Sequence, residues 1–340
     1  MKDYSRREVI RMFGVAGFAA AFLPERVFAE WVAQDKVILG DGAHRYEWVK
    51  GWLKLPEGMK LGNTHGCVAV DSKDRIYFNT DSENAVIIVD PDGKFVKGWG
   101  KDFKGGAHGM TIVKEGDKEI LWLSHTGRSE VVKCTLDGEV LLTIPYPEKS
   151  GVYKAKNEYR PTSVTVAPNG DVYVGDGYGK SWVHQWDGKG EYIRSWNGKD
   201  GQAGTFRTPH GVLVDLRGPE PRLIVADRGN SQLQVFTLDG KYVSVAKEGL
   251  RAPCKVYIRG DDVLVPDLQG RVTILDKNNK LIAHLGENTV ASLRGKNPVP
   301  PDQWKDGEFT APHGAAWDSK GNMYVEDWNS HGRVNKLQKI

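Results

Sequence analysis

Short apolar strands recur along the chain in a fixed order. "PHGVLVD" begins at Pro209, "RLIVAD" at Arg222, "LQVFTLDG" at Leu233 and "KYVSVA" at Lys241. The same succession starts again at His65, Ala107, Pro161, Ala252 and Pro312. Each unit opens on an apolar strand. A turn rich in Asp, Gly and Asn or Lys follows, then an alternating strand, a polar loop, a third strand, an Asp-Gly type turn and a fourth strand. Alternation broken by tight turns is the pattern of antiparallel strands. Repeats of roughly 40 to 50 residues holding four strands each read as propeller blades. The pattern therefore predicts an all-β fold, a six-bladed β-propeller. The last unit ends at "GRVNKLQKI" after three strands, and "YEWVKGWLKLP" (46–56) resembles the fourth strand "KFVKGWG" of the first unit. An N-terminal strand is thus expected to close the ring in the last blade and remove its exposed edges.

Composition agrees with a β fold and narrows the function classes. The 340 residues include 40 Gly and 11 Trp, are 39% hydrophobic and 27% charged, and carry a formal charge of +3. That balance, with no long Lys/Arg run, argues against a nucleic-acid partner. Cys67, Cys134 and Cys254 show no CxxC spacing and read as buried thiols rather than a disulfide framework. At the N-terminus, Arg6 and Arg7 precede an apolar stretch from Met12 to Leu23 and small residues near Ala29. Residues 1–29 resemble a twin-arginine export signal, with an uncleaved anchor as the alternative. Residues 30–340 are then one propeller domain in a periplasmic or extracellular protein, with no stable membrane span after processing. A monomer acting on a small-molecule or peptide-like substrate is expected.

His-Gly pairs at the starts of first strands carry the candidate chemistry. They occur at His65, His108, His210 and His313. In a propeller the first strand of each blade lines the central channel, so equivalent positions form a ring around one mouth. His108, His210 and His313 fall in blades two, four and six, the corners of a triangle. Three imidazoles with an open side suit a catalytic Zn²⁺, and the following glycine lets backbone approach closely. His65 is a candidate fourth ligand, which would favour iron or copper, or a group that binds substrate. The alternative is a repeat relic, each His bonded to a neighbouring carbonyl. A second ring, Thr80, His125, Asp176, Asp227, Asp267 and Asp327, is expected to bond loop backbone, or to orient the histidines. Tyr178 and Arg228 lie just beyond it, as a candidate general base and a candidate clamp for a substrate carboxylate.

The segments "PTSVTVAPNGDVYVGDGYGKS", "GTFRTPHGVLVD" and "RLIVADRGNSQLQVF" resemble the NHL-repeat propellers. Within that group the chain is similar to the peptidyl-α-hydroxyglycine α-amidating lyases over most of the mature length. The resemblance implies zinc on His108, His210 and His313, Tyr178 as base, Arg228 as a site arginine, and cleavage of a carbinolamide C–N bond. The sequence departs from the family at Asn79 and Thr80, where the family carries a further arginine. It departs again at Gly314, where the family has a calcium-binding aspartate, and at Ala311 in place of Met. Zinc is therefore the expected metal, iron or copper the alternatives, and calcium is disfavoured. The metal set carries over, and the substrate is expected to differ.

The leading expectation is an exported metal-dependent lyase or hydrolase acting on a small hydroxylated or acylated compound. The alternatives are a non-catalytic NHL propeller that binds a protein or glycan, and a four-histidine redox enzyme. The proline-bearing insert 286–309 is expected to form either a lid over the histidines or a packed surface loop.

Overall fold

The turn between the third and fourth strands shows how the repeat folds. Its first residue accepts backbone N–H groups two and four positions on: Asp90 from Asp92 and Lys94, Asp187 from Lys189 and Glu191, Asp276 from Asn278 and Lys280. The second residue before the fourth strand has positive φ, as Gly93, Gly138, Gly190, Gly240 and, once, Asn279. The same chain reversal therefore recurs in five blades, with Asp-Gly at this point in blades one, two and four. The turn after the first strand uses the same device: Asp71 accepts the N–H groups of Lys73 and Arg75 and the Tyr77 hydroxyl. Asp318 does likewise with Lys320, Asn322 and Tyr324.

The computed structural model describes residues 36–340, so the export signal read at 1–29 lies outside the described residues. Ile38–Ile340 is one unit of six antiparallel sheets. Blade one is Thr64–Val70, Ile76–Thr80, Val86–Val89 and Phe95–Trp99. Blade two is Ala107–Glu115, Lys118–His125, Glu130–Thr135 and Val140–Ile144. Blade three is Ser163–Val166, Val172–Gly175, Val183–Trp186 and Tyr192–Trp196. Blade four is Pro209–Asp215, Arg222–Asp227, Gln232–Thr237 and Tyr242–Ala246. Blade five is Tyr257–Arg259, Asp262–Asp267, Arg271–Leu275 and Leu281–Leu285. Blade six is Pro312–Trp317, Met323–Asp327 and Arg333–Lys339.

Tyr46–Val49 pairs antiparallel with Arg333–Lys339 as the fourth strand of blade six, and Ile38–Leu39 adds a fifth outside it. This closing strand is shorter than the segment 46–56, because Gly51 turns the chain at positive φ. Beyond it Lys54 makes a parallel bridge to Lys94 in blade one.

The core lies in the seams between blades. Tyr77, Val86 and Ile88 of blade one meet Leu121, Leu123 and Val132 of blade two, and equivalent clusters fill the following seams. A seam also joins blade six to blade one through Ala316, Tyr324 and Phe78. Middle strands are covered on both faces, so Ile76–Thr80 and Met323–Asp327 are buried at every residue. Outer strands such as Tyr192–Trp196 remain half exposed. Each fully buried Leu, Val or Ile contributes about 1.5–3 kcal/mol, which holds the blades in register around the axis.

Candidate metal centre

The histidines project toward the axis because each sits in a β-bulge. Pairing in blade two runs from Ala107↔His125 to Met110↔Leu123, in blade four from Pro209↔Asp227 to Gly211↔Ala226, and in blade six from Pro312↔Asp327 to Gly314↔Glu326. One extra residue is inserted in each inner strand, a device that re-aims a side chain. The glycine after each histidine is sterically required. A Cβ on Gly211 would lie 2.6 Å from the Cys254 carbonyl oxygen, and one on Gly314 2.7 Å from the Cys67 Cα. Gly109 meets the Thr162 carbonyl in the same way. The next blade's inner strand passes where the side chain would be.

That close passage orients the imidazoles. His108 Nδ1 lies 2.7 Å from the Thr162 carbonyl, His210 Nδ1 2.8 Å from that of Cys254, and His313 Nδ1 2.7 Å from that of Gly66. A carbonyl only accepts, so Nδ1–H donates in all three. Burial, reinforced by neighbouring imidazoles and, at His210 and His313, by Arg228, holds each pKa well below the ordinary 6.5. The rings are therefore neutral, and each Nε2 presents a lone pair. Ring centroids are 5.0 Å apart for His108–His210, 4.9 Å for His108–His313 and 4.6 Å for His210–His313. The three rings are 0–1% exposed.

The lone pairs need a shared electrophile. The Tyr178 hydroxyl lies 3.3 Å from His108 Nε2, 3.1 Å from His210 Nε2 and 3.2 Å from His65 Nε2, and its one proton serves a single partner at a time. His313 Nε2 is buried with no hydrogen-bond partner. The donor atoms of His65, His108 and His313 lie within 4.8 Å of one another, as do those of His210, Cys254 and His313. Both sets include His313, and its orphaned nitrogen among neutral imidazoles suits a divalent metal ion.

His65 differs from the tripod. Its strand takes four steps, Thr64 to Val68, against two of the partner, Thr80 to Phe78, so its bulge holds one residue more. Gly66, not His65, supplies the carbonyl that Thr162 and Cys254 supply in blades three and five. His65 is thereby lifted toward the mouth, half-buried, with its ring 4.8 Å from His108 and 4.9 Å from His313. Burial and the Arg228 and Arg160 charges lower its pKa to about 4.

Above the rings opens a cavity of about 410 Å³ lined by His65, Arg160, Tyr178, Arg228, Leu268, His313 and Trp328. Tyr178 and Arg228 thus face the same mouth as the histidines. The Arg228 guanidinium lies 5.3 Å from the Tyr178 ring centre and its Nη1 3.9 Å from Cys254 Sγ. Burial pushes the Tyr178 hydroxyl above its ordinary pKa, and Arg228 opposes that shift. Burial raises the Cys254 thiol to about 11, so it is neutral at physiological pH.

Sequence reasoning missed Arg160, Trp328 and Leu268, although Leu268 and Trp328 follow Asp267 and Asp327 as Arg228 follows Asp227. It read Cys254 as a plain buried thiol, and all three cysteines are indeed free and buried. Cys254 nevertheless occupies the position in blade five that histidines hold in the even blades, the one available clue.

The aspartate ring is scaffold. Asp176 accepts from the Arg160 N–H, Asp227 from Arg207, Asp267 from Arg251 and Ala252, and Asp327 from Thr310 and Ala311. These bonds pin the entrances of the inner strands, and backbone carbonyls orient the imidazoles in place of carboxylates. Asn79 caps the Cys67 N–H and Thr80 the loop at Asn84. The insert 286–309 packs against blades six and one through Asn297–Asn63 and Asn329–Val299 contacts. None of its residues lines the cavity, so it is the packed loop rather than the lid.

No family model matches the chain. It is 28% identical to peptidyl-alpha-hydroxyglycine alpha-amidating lyase 1 of Drosophila melanogaster, over 75% of this chain and 49% of that protein. It is also 28% identical to NHL repeat-containing protein 3 of Homo sapiens, over 56% of each. The chain spans about half the length of these curated relatives. Among solved structures, a streptogramin B lyase superimposes with TM-score 0.58 at 14% identity, covering 88% of this chain and 99% of that one. A gluconolactonase from Xanthomonas campestris gives 0.55 at 14% identity, covering 87% and 90%. These structural likenesses establish the fold alone. The chain is an NHL-like six-bladed propeller, similar in sequence to the peptidyl-α-hydroxyglycine α-amidating lyases.

Proposed function

We propose that this propeller is a metal-dependent enzyme, a lyase or hydrolase acting on a small hydroxylated or acylated compound, and that His108, His210 and His313 hold a zinc ion. The observation that carries the reading is the orphaned Nε2 of His313 beside two imidazoles in the same tautomer. Bound zinc would supply Lewis-acid polarisation of a substrate oxygen. The chain's own residues do the rest. Tyr178 stands over the three rings; deprotonated under the charges of a bound cation and Arg228, it would take the proton of a substrate hydroxyl. For a carbinolamide, loss of that proton forms a carbonyl as the C–N bond breaks, the electron pair leaves on nitrogen, and the nitrogen regains a proton. Arg228 fixes an anionic group of the substrate by a bidentate contact. Residues 1–29 direct the protein out of the cytoplasm as a twin-arginine-type signal.

A panel of carbinolamides, lactones and esters tests the activity. Chelator-sensitive turnover of at least one class is expected, with kcat about 100-fold lower in Tyr178→Phe. Metal-loaded protein inert to all three classes would favour a propeller that only binds a partner. A second reading has a specific basis: His65 lies as close to His108 and His313 as they lie to each other. Four-imidazole ligation of iron or copper would then show as an EPR signal that His65→Ala alters.

A further inference from the structure

Two arginines reach the cavity from neighbouring blades, and neither has an acidic partner. Arg160 stands at the entrance to blade three, its guanidinium 5.9 Å from the Tyr178 ring centre. Its backbone N–H is engaged by Asp176, while its side chain makes no hydrogen bond or ion pair among the described residues. Arg228, from blade four, touches the Tyr178 ring and the neutral Cys254 thiol. The remaining lining groups are uncharged imidazole, phenol, indole and alkyl side chains, with no carboxylate.

Several other arginines on this side are paired with carboxylates. Arg128 pairs with Glu130, Arg251, Arg271 and Arg294 with Glu287, and Arg333 with Asp327. The cavity therefore holds two uncompensated positive charges, and a divalent ion on the imidazoles would add two more. Arg228 is half-buried and Arg160 exposed at the rim; guanidinia that face one pocket without a counter-ion can receive an anion from solution. Trp328 and Leu268 form the uncharged wall on the side of blades five and six.

We infer that Arg160 and Arg228 form a two-guanidinium subsite, that the ligand is a compact organic dianion with one carboxylate for each arginine, and that Arg160 sets the preference for the second carboxylate. The inference rests on the reading of the tripod as the reacting centre for where the ligand sits; its charge preference stands on the arginines alone.

Calorimetric titration of the full chain tests it, with linear dicarboxylates from oxalate to adipate, each beside its monoamide. At least one diacid is expected to bind about 10- to 100-fold more tightly than its monoamide. Arg160→Gln should abolish that preference with the fold intact by circular dichroism, and Arg160→Lys should restore part of it. The same titration on the His108→Ala/His210→Ala/His313→Ala variant separates the two claims: a retained preference upholds the subsite even where metal is lost. Equal binding of every diacid and its monoamide, absence of binding across the series, or an unchanged preference in Arg160→Gln would overturn the inference.

Discussion

At the scale of single residues, the site depends on small side chains as much as on ligands. Each tripod imidazole is fixed by a carbonyl from the next blade, and the glycine beside it is what lets that carbonyl arrive. Gly211→Ala is predicted to destabilise the fold by about 1–3 kcal/mol through overpacking against Cys254 and Lys255. The same change should weaken metal retention, because it displaces the carbonyl that holds His210; denaturant unfolding with metal analysis on one preparation checks both effects. His65 predicts the opposite behaviour. Its bulge lifts it from the plane of the other three, so His65→Ala should keep its metal through dialysis while His313→Ala loses it. Equal loss in both variants would make His65 a full ligand.

Among elements, the closing strand and the inner network of blade three are the informative places. Trp48, on the strand that completes blade six, is 4% exposed, with its ring 5.0 Å from Phe309 and under the Arg333 guanidinium. Trp48→Ala should cost about 3–5 kcal/mol and loosen the closing strand from Phe309, visible as a lower midpoint in urea. In blade three, Tyr153 donates to Asp176 and sits 2.7 Å from His184 Nε2, and Ser195 lies against His184 Nδ1. Burial lowers the His184 pKa to about 3, so the folded chain keeps this ring neutral while the unfolded chain protonates it near 6.5. Stability from this group is full above pH 6.5 and falls as pH drops toward 3, by at most about 1.4 kcal/mol per pH unit. His184→Gln should flatten the decline in thermal midpoint between pH 6.5 and 4; an unchanged slope would contradict the assignment.

At the scale of the whole molecule, the fold was legible because five blades repeat the same turn between their third and fourth strands, while strand alternation and recurring first strands mark the boundaries at Ala107, Pro209 and Pro312. The tripod was legible for the same reason: symmetry converts sequence spacing into convergence. Three features escaped. The offset of His65 arises from one extra bulge residue, which pairing reveals and composition does not. The carbonyls of Thr162, Cys254 and Gly66 orient the rings without any side-chain signature. Leu268 and Trp328 hold the repeat position of Arg228, but their uncharged side chains carry no chemical signal, and Arg160 lies in an entrance loop whose sequence differs from blade to blade.

Convergence of three neutral imidazoles on the propeller axis is the claim from which the chemistry follows. Elemental analysis of purified full-length protein beside its His108→Ala/His210→Ala/His313→Ala variant tests it most directly. The account predicts about one divalent metal per chain in the parent protein and none in the folded variant. A metal-free parent, or a variant that retains its full complement, would contradict it.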